Sequence, residues 1–298
     1  MSSRGNAASR MDGPASQAFH VPVLIGRFGG RRALAATCLA AMVVLASVVV
    51  AGRVLEPVAV ATDFTARNLA PSWSHPFGTD WMGRDMLART LAGLSTSVMV
   101  GLGAAAVSSV LALALAAVSA LGGRLADAAV GWCIDVVMGV PHLVLLILIS
   151  YALGRGALGV SVGIAVTHWP SLARVLRAEL LQLKERPFIA CSRALGVGSA
   201  RLALRHLVPH VLPQYLIGLV LLFPHAILHE ASITFLGFGL PPEQPAIGVI
   251  LSEAMSYLTS GAWWLAVFPG VALLVVVLLF DRVGAALRRL VTPEEVQA

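Results

Sequence analysis

The sequence predicts an all-α, polytopic membrane protein with six transmembrane helices. Three observations carry that expectation. Charged residues make up 12% of the chain and hydrophobic ones 58%, where a soluble domain carries about 25% charged residues. Six apolar runs of spanning length are separated by polar intervals. Basic residues also concentrate on alternate intervals, as bilayer topology demands. The mean hydropathy of +0.85 agrees.

Taken in order, residues 1–32 are small and polar and carry Arg4, Arg10, Arg27, Arg31 and Arg32, the composition of a disordered cytoplasmic tail. The apolar run 33–51 is longer than the core of a secretory signal and follows too long a leader, so a retained anchor is expected. Residues 52–74 form a polar extracytoplasmic linker. The main transmembrane domain then occupies 75–293, with a short tail at 294–298.

That domain opens with HPFGTDWMGRDMLARTLAG at 75–93. Met82, Met86 and Leu91 suggest an apolar stripe and Thr79 or Asp80 an N-cap, so an amphipathic helix on the membrane surface is predicted. Asp80, Arg84 and Asp85 read as an exposed charge cluster facing water. The remaining spans fall near 96–121, 128–153, 157–173, 211–228 and 263–280. Pro141, Pro170, Pro213 and Pro224 predict kinks, whose freed carbonyls neighbouring helices must satisfy.

Six spans place both termini on one side. Sixteen of the 21 Lys and Arg residues fall on that side and five on the other, which makes it cytoplasmic. The large outer interval 229–262 holds no Lys or Arg. Its stretch SITFLGFGLPPEQPAIG is apolar, Gly-rich and broken by proline, so a re-entrant or interfacial segment beside a translocation path is expected.

The longest basic cytoplasmic interval, 184–209, reads KERPFIACSRALGVGSARLALRHLVP. Pro187 suits the first position of a helix. Phe188, Cys191 and Leu195 then share one apolar stripe. Gly196 and Gly198 end that helix, and Ser199 caps a second that carries Arg201 and Arg205 on one face and closes at Pro209. Such a paired-helix knob suggests a docking surface for a cytoplasmic partner.

Several chemistries are excluded. Lys184, the only lysine, stands in no Gly-rich phosphate loop, so no nucleotide or other cofactor is expected on this chain; if ATP drives it, another chain binds the ATP. There is no HExxH. Cys38, Cys133 and Cys191 form no CxxC pair. No long basic tract with interleaved aromatics points to nucleic acid.

The fifth apolar run ends with His225, His229 and Glu230. Ionisable groups at membrane depth usually face an interior path or one another, so all three are substrate-path candidates. His225 and His229, at i and i+4, share a helix face and have the spacing of two imidazole ligands on one metal, although one pair is an incomplete site. The same cluster leaves open an ion-coupled secondary transporter, with these residues as a relay, or an intramembrane enzyme.

Three separated segments resemble the inner-membrane permease subunits of ABC importers in the dipeptide/oligopeptide/nickel family. They are HPFGTDWMGRD at 75–85, RPFIACSRALGVGSARLALRHLVP at 186–209, and HEASITFLGFGLPP at 229–242, the last followed by WWLAVFPG at 263–270 and DRVGAALRRLVTP at 281–293. The second is similar to the loop bearing that family's Glu-Ala-Ala motif, which here falls on Ala190, Cys191 and Ser192. Gly196 matches the motif's glycine, and Leu207, Val208 and Pro209 its apolar-apolar-proline close. The absent glutamate puts a polar contact in question but leaves the apolar docking intact.

The resemblance implies a non-catalytic permease subunit in the bacterial inner membrane that translocates di- or oligopeptides. Phe188, Ala190, Cys191, Ser192, Leu195, Gly196, Leu207 and Pro209 would then couple it to an ATPase. Its implied partners are a homologous second permease, two cytoplasmic ATPase subunits, an extracytoplasmic binding protein and the lipid bilayer. Nickel or a metal chelate is the alternative cargo, since nickel-importing members are similar around His225, His229 and His168–Trp169.

Overall fold

The computed structural model describes residues 30–291, and among them every regular element is a helix. The β pairing present is an isolated bridge between Thr79 and Asp85. The expected tails lie outside the described residues, except that the helix of the first span already begins at Gly30.

The elements are α1 (Gly30–Val54), α2 (Glu56–Val60), α3 (Met86–Leu121), α4 (Gly123–Gly139), α5 (His142–Ala152), α6 (Gly156–Lys184), α7 (Pro187–Ala194), α8 (Ser199–Leu202), α9 (Val208–Phe235), α10 (Ile247–Met255) and α11 (Trp264–Val291). Among the described residues four helical stretches are long and apolar enough to cross a bilayer: α1, α3, α9 with the turn before it, and α11. The bent pair α4–α5 makes a fifth. α6, the remaining helix of the expected six, has 29 residues, but Gly, Ser, His and Pro interrupt its apolar run.

α3 is the axis of the bundle and packs on α1, α6 and α9. Its contact face is made of small residues: Ala105, Ala112, Ala116 and Ala120 are all fully buried and recur at helical spacing. Small side chains let neighbouring backbones approach closely where lipid offers no hydrophobic drive between helices.

The predicted surface helix before this span is not separate. Asp85, not Thr79 or Asp80, caps the helix by accepting from the Ala88 N–H, and the helix runs unbroken for 36 residues. At 1.5 Å per residue that is about 54 Å, well beyond the roughly 30 Å hydrocarbon layer, so one helix serves as both surface segment and span.

The prolines divide as well. Pro141 breaks the third span, because Val140 and Pro141 both take extended backbone, and α5 leaves α4 at 93°. Pro170, Pro213 and Pro224 lie inside continuous α6 and α9 instead. Pro209 does not close the second loop helix. α8 passes through a π-helical turn, Ala203–Leu207, into α9, and Pro209 sits in the first turn of α9, where its missing N–H costs nothing.

The apolar outer interval is neither free nor strand-like. α9 continues to Phe235, Gly237 turns the chain with a φ of +82°, and α10 packs against α3, α9 and α11. A Cβ at Gly248 would stand 2.4 Å from the Ala231 carbonyl oxygen, so this crossing of α10 over α9 needs glycine.

Candidate functional site

Three places gather the polar and exposed apolar groups. The first is the loop segment α7–α8. Ile189 is fully buried with Leu183, Leu202 and Leu207, which anchors α7 to the end of α6 and the π turn. Phe188 and Leu195 are left 47% and 84% exposed, and Cys191 beside them is exposed too. Leu204, 74% exposed, adds a further apolar side chain at this end. Ala190 and Pro209 are exposed, Ser192 donates through Oγ to the Phe188 carbonyl, and Leu207 is buried. Gly196, at φ +80°, carries the left-handed turn that lets the Val197 N–H close on the Ser192 carbonyl.

The second place lies at the other end, where the 75–85 segment meets α10. Its two glycines are structural necessities. Gly78 and Gly83 have φ of +74° and +76°, and a Cβ on Gly83 would fall 1.7 Å from the Asp63 carbonyl oxygen. Asp63 itself, on the linker, accepts from the Thr65 hydroxyl and N–H, and those bonds hold its carboxyl below the usual range.

The charge cluster here is buried rather than exposed, and Asp85 is not part of it. Arg89 donates to Asp80 at 2.6 Å and to Glu253 of α10 at 2.9 Å. Arg84 donates to the same two carboxylates at 2.6 and 3.1 Å. Asp80 also accepts from the Met82 and Arg84 N–H groups. Two cations and two anions therefore cancel, which is how buried charge is tolerated. Asp85 instead caps α3 and lies 2.8 Å from His75 Nδ1. Near this network a cavity of about 530 Å³ is lined by Arg155, Thr234, Gly239, Pro242 and Glu253 among others.

The third place is the outer half of α9, and it does not hold His225, His229 and Glu230 as one cluster. His225 is exposed. Glu230 is fully buried on the α3 side beside Ser97 and accepts from Thr234 Oγ1 at 2.9 Å. His229 turns instead to His142 of α5 and His168 of α6. His142 escaped sequence reasoning, and His168 was noticed only for its neighbour Trp169; both lie far along the chain from His229, and no local spacing links the three. Glu253 escaped for the same reason.

An α-helical bundle with several apolar spans, an apolar knob at one end and an ion network at the other defines a polytopic membrane protein. The family model described as "Binding-protein-dependent transport system inner membrane component" matches residues 108–293. The chain belongs to that family, the permease subunits of ABC importers, and is a multi-pass protein of the inner membrane. It is 40% identical over 229 residues to a peptide permease protein of Brucella suis, covering 76% of this chain and 75% of that one. A peptide transport system permease protein of the same organism is 34% identical over 255 residues, 84% and 86% of the two chains. The oligopeptide transport system permease protein OppC of Bacillus subtilis is 30% identical over 246 residues, 81% and 80% of the two. Membership of this family decides against the self-sufficient ion-coupled transporter held open by the sequence.

Proposed function

We propose that this chain is the non-catalytic membrane subunit of an ATP-driven importer of di- or oligopeptides. In this reading it pairs with a second, homologous permease, receives cargo from an extracytoplasmic binding protein and is driven by two cytoplasmic ATPases that hold the ATP. Both termini and the α7–α8 segment face the cytoplasm, on the side of the arginine excess. The peptide cargo follows from the similar proteins, which are named as peptide permeases.

One observation carries the coupling role. Among the described side chains of α7 only Ile189 is buried, while Phe188 and Cys191 on the helix and Leu195 just beyond its end stand exposed. An apolar helix face of this kind, presented on a fixed base, suits insertion in a partner's groove. Movement of the ATPase then reaches the bundle directly, because α7 follows α6 and leads through α8 and the π turn into α9.

The test is reconstitution in liposomes of the chain with its second permease and ATPases, supplied with the binding protein and a labelled peptide. ATP-dependent peptide accumulation is expected, with none when the ATPases are left out. Peptide uptake by the chain alone, driven by a proton gradient, would overturn the reading.

A further inference from the structure

Three histidines close the gap between α5, α6 and α9. The rings of His142, His168 and His229 meet edge to face, with centroids 4.5, 4.5 and 5.0 Å apart. One ring nitrogen from each lies within 4.8 Å of the other two.

Hydrogen bonds fix the tautomers of two of the three. His168 Nδ1 lies 3.0 Å from the Ile164 carbonyl oxygen, and His229 Nδ1 lies 2.7 Å from that of His225. A carbonyl only accepts, so both Nδ1 atoms carry the hydrogen and both Nε2 atoms present a lone pair. Nε2 of His142 and Nε2 of His168 are buried and have no hydrogen-bond partner. Two lone pairs and the unpartnered Nε2 of His142 share one gap, without the partner that a buried polar atom normally has. A cation supplies what is missing.

We infer that His142, His168 and His229 bind one divalent transition-metal ion of the imidazole-preferring group, Zn²⁺, Ni²⁺, Co²⁺ or Cu²⁺. Hard ions such as Mg²⁺ and Ca²⁺ call for oxygen ligands, and none of the three groups offers one. Imidazole nitrogens sit about 2.0–2.1 Å from such an ion, so the three rings close by roughly 1 Å on loading. The carbonyls of Ile164 and His225 act as the outer hydrogen-bond partners that orient ligating histidines. A cavity of about 400 Å³, lined by Val137 to His142 and by Thr167, lies against the site at the break between α4 and α5. It leaves room for water or another ligand at a fourth position.

The ion ties α5 to the two long helices on either side of the α7–α8 segment. The inference stands whether or not the cargo is a peptide, and its test needs no transport.

The full chain, purified without a histidine tag in lipid nanodiscs and stripped with a chelator, is titrated with Co²⁺ and then Zn²⁺. One Co²⁺ per chain is expected, with the visible absorption of a low-coordinate, nitrogen-ligated ion, displaced by Zn²⁺. X-ray absorption at the zinc edge is expected to show imidazole nitrogen at about 2.0–2.1 Å. His142→Gln, His168→Gln or His229→Gln each weakens binding by at least about 100-fold, since losing even an outer-shell partner costs 10–100-fold. His225→Gln keeps it, because only the backbone carbonyl of His225 takes part. The spectra of the unmodified chain decide the matter if a variant does not fold. Absence of a stoichiometric ion, a sulfur-ligated spectrum, or a loss that follows His225 rather than His142 would each overturn the inference.

Discussion

Arg89, in the first turn of α3, and Glu253, on α10, are joined by a hydrogen-bonded ion pair of 2.9 Å, although they lie 164 residues apart. Asp80 and Arg84 complete the network, and the Arg89 side chain is only 3% exposed. This pair fastens the outer interval after α9 to the beginning of the central helix.

Removing Arg89 leaves the buried Asp80 and the partly buried Glu253 with half their compensation. Arg89→Met is expected to lower stability by about 3–5 kcal/mol, the cost of breaking a buried ion pair from one side. Thermal unfolding of the purified chain in detergent measures it. A loss below about 1 kcal/mol, the size seen for surface pairs, would show the network to be solvated.

Ile189 on α7 and Leu195 just beyond its end have opposite duties. Ile189→Ala empties a fully buried site and is expected to cost about 2–5 kcal/mol. Leu195→Ala changes an exposed side chain and is expected to stay within about 0.5 kcal/mol. Leu195→Asp is expected to leave the folded chain in the membrane, yet abolish ATP-driven uptake in the reconstituted complex. Uptake preserved in Leu195→Asp would remove α7 from the coupling route.

The glycines of the 75–85 segment can be compared with one inside α3. Gly83→Ala forces a Cβ onto the Asp63 carbonyl at a positive φ and is expected to cost at least about 1–3 kcal/mol. Gly103, with nothing within 4 Å of its would-be Cβ, should accept alanine with a gain of up to about 1 kcal/mol from helix propensity. Paired melting curves of the two variants test the contrast.

Arg155 has φ +59° and ψ −178°, a region open essentially to glycine alone, and it is flanked by Gly154 and Gly156. Its guanidinium lies 5.3 Å from the Tyr151 ring and 5.5 Å from the Phe238 ring, at the edge of the larger cavity. Arg155→Ala loses those contacts and keeps the strain, whereas Arg155→Gly loses both. The glycine variant is therefore expected to be more stable than the alanine variant by about 1–3 kcal/mol. Equal melting temperatures would mean that the backbone relaxes.

The sequence legible as local pattern was legible for a physical reason. Apolar length, the arginine excess on alternate intervals and the Gly196 turn depend on residues close to one another, so the all-α bundle and the short helix that opens at Pro187 followed from spacing alone. Thr79 and Asp80 have the chemistry of an N-cap, but α3 begins only at Met86, so Asp85 caps it while Asp80 pairs with two arginines. Four prolines looked alike, yet only Pro141 broke its helix.

By itself the chain determined its helices, its membrane class and the polar residues of its fifth span. Only the tertiary structure decided what those residues meet. Neighbours on α9 such as His229 and Glu230 point about 100° apart, so packing sent one toward α5 and α6 and the other toward α3. Which remote histidine waits on each face depends on how whole helices cross, a relation between segments that no spacing within one segment contains.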